Sequence, residues 1–170
     1  KNPFYGLNQL PSFMRPFHTD FLFEIKFLKT YLNNYLKNSM RLDSRKDNWI
    51  YDGIQIFTMM NYIDDYHPDS KMLGSASKYF LLKNFKMAQT DFNGQYDYYY
   101  MLMARKNLDQ PLNSPKNILI KYNVQIANKY KAGLSIHYLD DYLGNEIVSS
   151  SIKKFYDINK QKQTTRNDFE

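Results

Sequence analysis

The chain contains no cysteine. That excludes a disulfide framework, a thiol nucleophile and any thiolate metal site. Glycine is scarce, at 6 of 170 residues, and no glycine-rich phosphate loop occurs. No apolar run approaches the ~18 residues of a membrane span, so none is expected. Lys1-Asn2-Pro3 reads as neither an initiator methionine nor a signal peptide. The expectation is a single helical domain over 1–170, excised from a longer chain whose targeting signals lie elsewhere. Its own parent domains are then expected partners.

What is present is apolar and aromatic: 43% hydrophobic and 17% aromatic residues exclude a disordered chain. The net charge of +6 invites a nucleic-acid reading, but the charge is unevenly placed. Residues 47–69 hold five Asp and no Lys or Arg, between two basic stretches. A phosphate-tracking groove tolerates such an interruption poorly, so no nucleic-acid partner is expected.

The periodicity is helical. Phe21, Ile25, Leu28, Leu32 and Tyr35/Leu36 recur at three- and four-residue steps. They predict a first helix of about five turns, with Thr19 or Asp20 as N-cap. Arg41–Asn48 is polar and reads as a loop. A second helix runs from about Trp49 to Tyr66, capped by Asp47 or Asn48 and stopped by His67-Pro68. Further helices are expected over about Ser70–Phe85, Gln95–Asn107, Lys116–Lys129, Ala132–Leu143 and Glu146–Ile158. Gly144 ends the sixth as a C′ glycine. Thr165-Arg166-Asn167-Asp168 fits a cap for one more. Only Phe4–Phe17 carries a strand-like pattern. The fold class is mainly α: about seven helices, with an extended lead-in over 1–18 and a helical lobe over 19–170.

Several features have ordinary readings. His18, His67 and His137 do not share metal-ligand spacing. Asp64-Asp65-Tyr66 and Asp140-Asp141-Tyr142 are two similar helix ends, since their flanks differ. The run Tyr98–Met103 resembles buried core. Ser149-Ser150-Ser151 has no nearby His with an orienting acid and reads as helix surface. Asp52, in a first helical turn, suits the helix dipole by itself.

One series of motifs goes further. Trp49-Ile50-Tyr51-Asp52-Gly53 opens the second helix, and Tyr130-Lys131-Ala132-Gly133 opens a later one. Thr164-Thr165-Arg166-Asn167-Asp168-Phe169 closes the chain. This order and spacing, over roughly residues 29–169, resembles the aminopeptidase-N family of gluzincin zinc metallopeptidases. The resemblance implies the helical lobe of a thermolysin-like catalytic domain. In the family, a Trp-Leu-x-Glu-Gly helix supplies the third zinc ligand, and a Tyr-Glu-Lys-Gly turn supplies the catalytic tyrosine. On that comparison Tyr130 is the remnant oxyanion-stabilising catalytic residue. The zinc signature, His-Glu-x-x-His followed by eighteen residues and Glu, falls on Lys29-Thr30-Tyr31-Leu32-Asn33. Lys29 then replaces the first His, Thr30 the general-base Glu, Asn33 the second His, and Asp52 the ligand Glu. Gly6-Leu7-Asn8-Gln9-Leu10 stands where the family's exopeptidase strand lies, with Gln9 as the substrate-binding remnant.

Magnitudes decide what such a site retains. Zinc lowers the pKa of bound water from about 15.7 to about 7, so its loss forfeits roughly 12 kcal/mol of nucleophile activation. An oxyanion donor such as Tyr130 restores only ~3–4 kcal/mol. The resemblance therefore implies a pseudoenzyme without a cofactor. It would be an aminopeptidase-like domain that has lost its zinc site and binds a peptide or protein, or acts as scaffolding. The alternative is an active zinc metalloaminopeptidase hydrolysing peptide N-termini with ligands not recognised in these residues. A purely structural helical domain meeting another chain through a Tyr/Met-rich face is a further rival. Bacterial periplasm or cell surface is the expected location ahead of cytoplasm.

Overall fold

The computed structural model describes residues 15–169. Among them lie seven α-helices: α1 (Thr19–Ser39), α2 (Asn48–Tyr66), α3 (Lys86–Gln89), α4 (Gly94–Ala104), α5 (Asn128–Leu143), α6 (Asn145–Asn159) and α7 (Arg166–Phe169). A 3-10 turn (Gly74–Lys78) precedes α3, and a π-helical turn (Asn123–Ala127) leads into α5. Among the described residues no strand forms. Two isolated bridges join Arg41 to Gln163 and Lys71 to Asp91. The mainly α architecture is as expected, while the lead-in segment up to residue 14, with Gln9, lies outside the described residues.

Helix α2 is the centre. Residues 50–57 are all buried, Asp52 and Gln55 among them, so this stretch of the helix is enclosed by others around its whole circumference. Both α1 and α5 pack on it, and α4 and α6 pack on α5. One core cluster joins Leu36, Met40, Tyr51, Phe57, Ile136 and Phe155 across α1, α2, α5 and α6. A second joins Phe17, Phe21, Ile25, Met59, Ile63 and Phe92. A third joins Ile56, Met60, Tyr96, Tyr130 and Leu134. The α2–α5 crossing is close because Gly133 leaves room for Ile56, whose side chain a Cβ there would overlap. The turn after α1 is tied down by Tyr51. Its hydroxyl donates to the Met40 carbonyl at 2.6 Å and accepts from the Leu42 N–H at 3.0 Å.

The chain end returns to the same place. Thr164 N–H donates to the Arg41 carbonyl at 3.2 Å, and Gln161 N–H to the Ser39 carbonyl at 2.6 Å. Asp168 then caps α7 by accepting from both the N–H and the hydroxyl of Thr165, each at 2.7 Å. Phe169 packs edge-on against Trp49 and Phe155, with ring centroids 5.7 and 5.0 Å apart.

Four expectations need correction. The N-cap of α1 is His18, whose extended backbone lets its carbonyl accept from Leu22 N–H, so Thr19 and Asp20 lie inside the helix. No helix spans 70–85. Gly74 sits at φ +55, and tertiary partners take the amides a helix would use: Met72 donates to Thr90 O, Ser75 to Pro16 O. The expected break before Ala132 is absent. The chain is helical without interruption from Lys121 to Leu143, so Tyr130–Gly133 lies within the helix instead of opening it. Nothing from 128 to 132 breaks a helix, and the π-turn lets Asn123 reach Leu108 O and Gln110 Oε1, each at 2.8 Å. Finally, of Tyr98–Met103 only Met103 is buried.

Candidate functional site

Asp52 is the fifth residue of α2, one turn further in than the first-turn position expected from the sequence, and both of its carboxylate oxygens are engaged. Asn48 Nδ2, one turn earlier, donates to Oδ2 at 2.6 Å. Lys129, in the first turn of α5, places its ammonium 3.0 Å from Oδ1. Lys29 approaches from α1. Its ammonium is held below the usual lysine range by burial first and by repulsion from Lys129 second, while Asp52 acts in the opposite sense. Gln55, one turn after Asp52 on α2, donates to the Lys29 carbonyl at 2.5 Å and sets the two helices in register.

Tyr130 shares a small cavity with Lys29, Gln55's neighbour Ile56, and Gln95. It is only 8% exposed, packed edge-on against Tyr96 at 5.0 Å and at a tilt against Tyr99 at 6.3 Å. Lys29, Asp52 and Tyr130 are therefore brought into one region from three helices. Thr30 is not: it is exposed, its hydroxyl bonded back to the Lys26 carbonyl at 2.8 Å, on a face shared with Phe27 and Tyr31. Asn33 is half-buried one turn beyond Lys29 and takes no part in the cluster's hydrogen bonds.

These side chains do not fit zinc. A zinc ligand set needs three uncharged or anionic donors converging on one point. The slot offers an ammonium, an outward hydroxyl, an amide, and a carboxylate already paired with a second ammonium. Among the described residues no group of three His, Asp or Glu side chains is placed to hold a metal ion. His67 contacts Glu24 at 2.8 Å, and His137 lies 3.9 Å from Asp141, in separate places.

Lys129, Gln55 and Asn48 escaped the sequence reading. A signal for Lys129 did exist. Asp52 stands on a helix with no Lys or Arg of its own, so a buried carboxylate there needs a cation from another element. No protein-family model matches the chain, and no curated protein and no solved structure matches it.

Proposed function

We propose that this chain is the helical lobe of an aminopeptidase-N-like, thermolysin-type peptidase domain whose zinc slot has been rebuilt as an internal ion-pair cluster. It serves as a non-catalytic peptide- or protein-binding, or scaffolding, module alongside other domains of its parent chain, at a bacterial cell surface or in the periplasm. The observation that carries this reading is the Lys129–Asp52 pair at 3.0 Å with Lys29 beside it. Two ammonium groups supply the positive charge that a divalent cation would bring, and the carboxylate is neutralised from within. A metal entering here would have to displace Lys129 and face the repulsion of Lys29. Tyr130, packed among tyrosines, then acts in the core. Trp49 and Phe169, two members of the motif series, meet directly, which supports treating the series as one structural unit.

The test is metal analysis of the purified chain after incubation with excess zinc, together with cleavage of aminoacyl reporter substrates. The reading expects neither stoichiometric zinc nor cleavage. Stoichiometric zinc together with cleavage that Asp52→Asn abolishes would overturn it.

A further inference from the structure

A separate cleft of about 70 Å³ adjoins Asp52. The first turn of α2, the turn before it, the segment around Lys116 and the start of α5 form its walls. Its two rims are fastened together by Lys116 N–H, which donates to the Arg45 carbonyl at 2.9 Å. Arg45, Lys46, Lys116 and Lys129 line it, against a single carboxylate, Asp52, that Lys129 already neutralises. The positive end of the 19-residue α2 opens on the same space and adds to the field.

The wall holds polar groups with nothing to bond. Asn128 is 6% exposed, and neither its Nδ2 nor its Oδ1 has a partner. The indole Nε1 of Trp49 is likewise shielded and unpartnered. Buried polar groups in native proteins are nearly always satisfied, so three orphans around one cleft point to a ligand that satisfies them. Two are donors and one, Asn128 Oδ1, is an acceptor. A bare anion would answer only the donors. A peptide unit answers both, and a carboxylate next to it would meet the cations.

We propose that the cleft binds a carboxylate carried beside a peptide amide, either a peptide's C-terminus or an acidic side chain. The amide pairs with Asn128, and the carboxylate sits against Arg45, Lys46 and Lys116. The inference takes its ligand class from the peptide-binding reading above; the charge and the orphaned groups stand without it.

Trp49 is the chain's one tryptophan, so its fluorescence reports on the cleft directly. The chain is titrated with acetyl-Gly-Gly, its C-terminal amide, acetyl-Asp amide and inorganic phosphate, each against sodium chloride of equal ionic strength. The expected result is a saturable emission change with acetyl-Gly-Gly, with acetyl-Asp amide, or with both, and the one that binds identifies the source of the carboxylate. Binding should weaken about tenfold for the blocked amide of acetyl-Gly-Gly. It should weaken severalfold in each of Arg45→Gln and Lys116→Gln, whose wild-type side chains are exposed and leave the core untouched. Asn128→Ala should erase the preference for peptide over phosphate.

Absence of a saturable change with both carboxylates overturns the proposal, as does phosphate binding as tightly as the peptides. Binding that survives both Gln variants places the ligand elsewhere and overturns this cleft while leaving the peptide-binding reading intact. Zinc-dependent cleavage would do the reverse.

Discussion

Lys129 and Asp52 form an ion pair of 3.0 Å in which the carboxylate side chain is 12% exposed. With Asn48 on the other oxygen, Asp52 is fully committed inside the protein. Removing one partner of such a pair strands the other. A fully buried pair loses ~3–5 kcal/mol in that way. Here Lys29 remains nearby and both side chains keep some solvent, so Lys129→Met should destabilise by about 2 kcal/mol in urea unfolding. Adding Asp52→Leu to that variant should recover most of the loss, because no uncompensated charge then remains. A single variant as stable as the parent chain would show that Asp52 is not held by this pair.

Gly133 and Gly53 both lie at the α2–α5 crossing, yet they should respond differently to alanine. A Cβ at Gly133 overlaps both Cβ and Cγ2 of Ile56, a β-branched side chain with little room to turn. Overpacking of this kind costs about 1–3 kcal/mol, only partly offset by the ~1 kcal/mol that alanine gains over glycine in a helix. Gly133→Ala should therefore lower stability by about 1–2 kcal/mol. A Cβ at Gly53 meets Ile136 Cδ1 at 3.1 Å and Ala132 Cβ at 3.2 Å. The first of these is the end of a flexible side chain, so Gly53→Ala should be close to neutral. Thermal unfolding of the two variants in parallel checks the contrast, and equal losses would refute it.

Tyr51 closes the turn between α1 and α2 with one hydroxyl that both donates and accepts. Burial pushes its phenol above the usual tyrosine range. Tyr51→Phe keeps the ring in the core but leaves the Met40 carbonyl and the Leu42 N–H without partners. An unsatisfied buried group costs about 1–3 kcal/mol. Unfolding by urea should show a loss of that size, with amide exchange of Leu42 speeded. Unchanged exchange at Leu42 would mean that the turn is held by the Arg41–Lys162 and Thr164–Arg41 backbone bonds instead.

The helices whose apolar positions keep a steady step were legible before any coordinates. α1, α2 and α6 fall within a residue or two of their expected bounds, and α5 ends at Gly144, whose φ of +96 suits a glycine terminator. Two of the misplaced helices share one cause. Between Ser70 and Phe85, and again between Lys116 and Ile120, local pattern competes with hydrogen bonds to distant partners such as Pro16, Thr90, Arg45 and Gln110. No periodicity encodes those partners. At the site, motif spacing led to Lys29, Asp52 and Tyr130, which lie in one region, and equally to Thr30 and Asn33, which do not join them. It was silent on Lys129 and Asn128, because their roles follow from which face of the long helix meets α2.

The alkaline limb of stability separates two of the site's groups by sign. Lys29 has a folded pKa below its ordinary 10.5, chiefly through burial. In the window between that lowered value and 10.5 the unfolded chain still binds a proton that the folded chain has released. Stability therefore rises with pH across this window, and the benefit is lost as pH falls through the folded pKa. Tyr99 behaves oppositely. Burial pushes its phenol up to about 12, so from 10.0 to about 12 the unfolded chain ionises while the folded chain does not. Its contribution is complete below pH 10 and drains away up to about 12, by at most ~1.4 kcal/mol per pH unit. Tyr51, Tyr100 and Tyr122, raised for the same first reason, steepen the fall. The expected profile is a rise on approaching pH 10.5 overtaken by a decline beyond pH 10. Urea midpoints measured from pH 8 to 12 on the parent chain, Lys29→Met and Tyr99→Phe resolve the two limbs. Lys29→Met should flatten the rise and leave the decline, and Tyr99→Phe should soften the decline alone. If Lys29→Met leaves the rise intact, the Lys29 ammonium is solvated, and the repulsive cluster around Asp52 is not the one described.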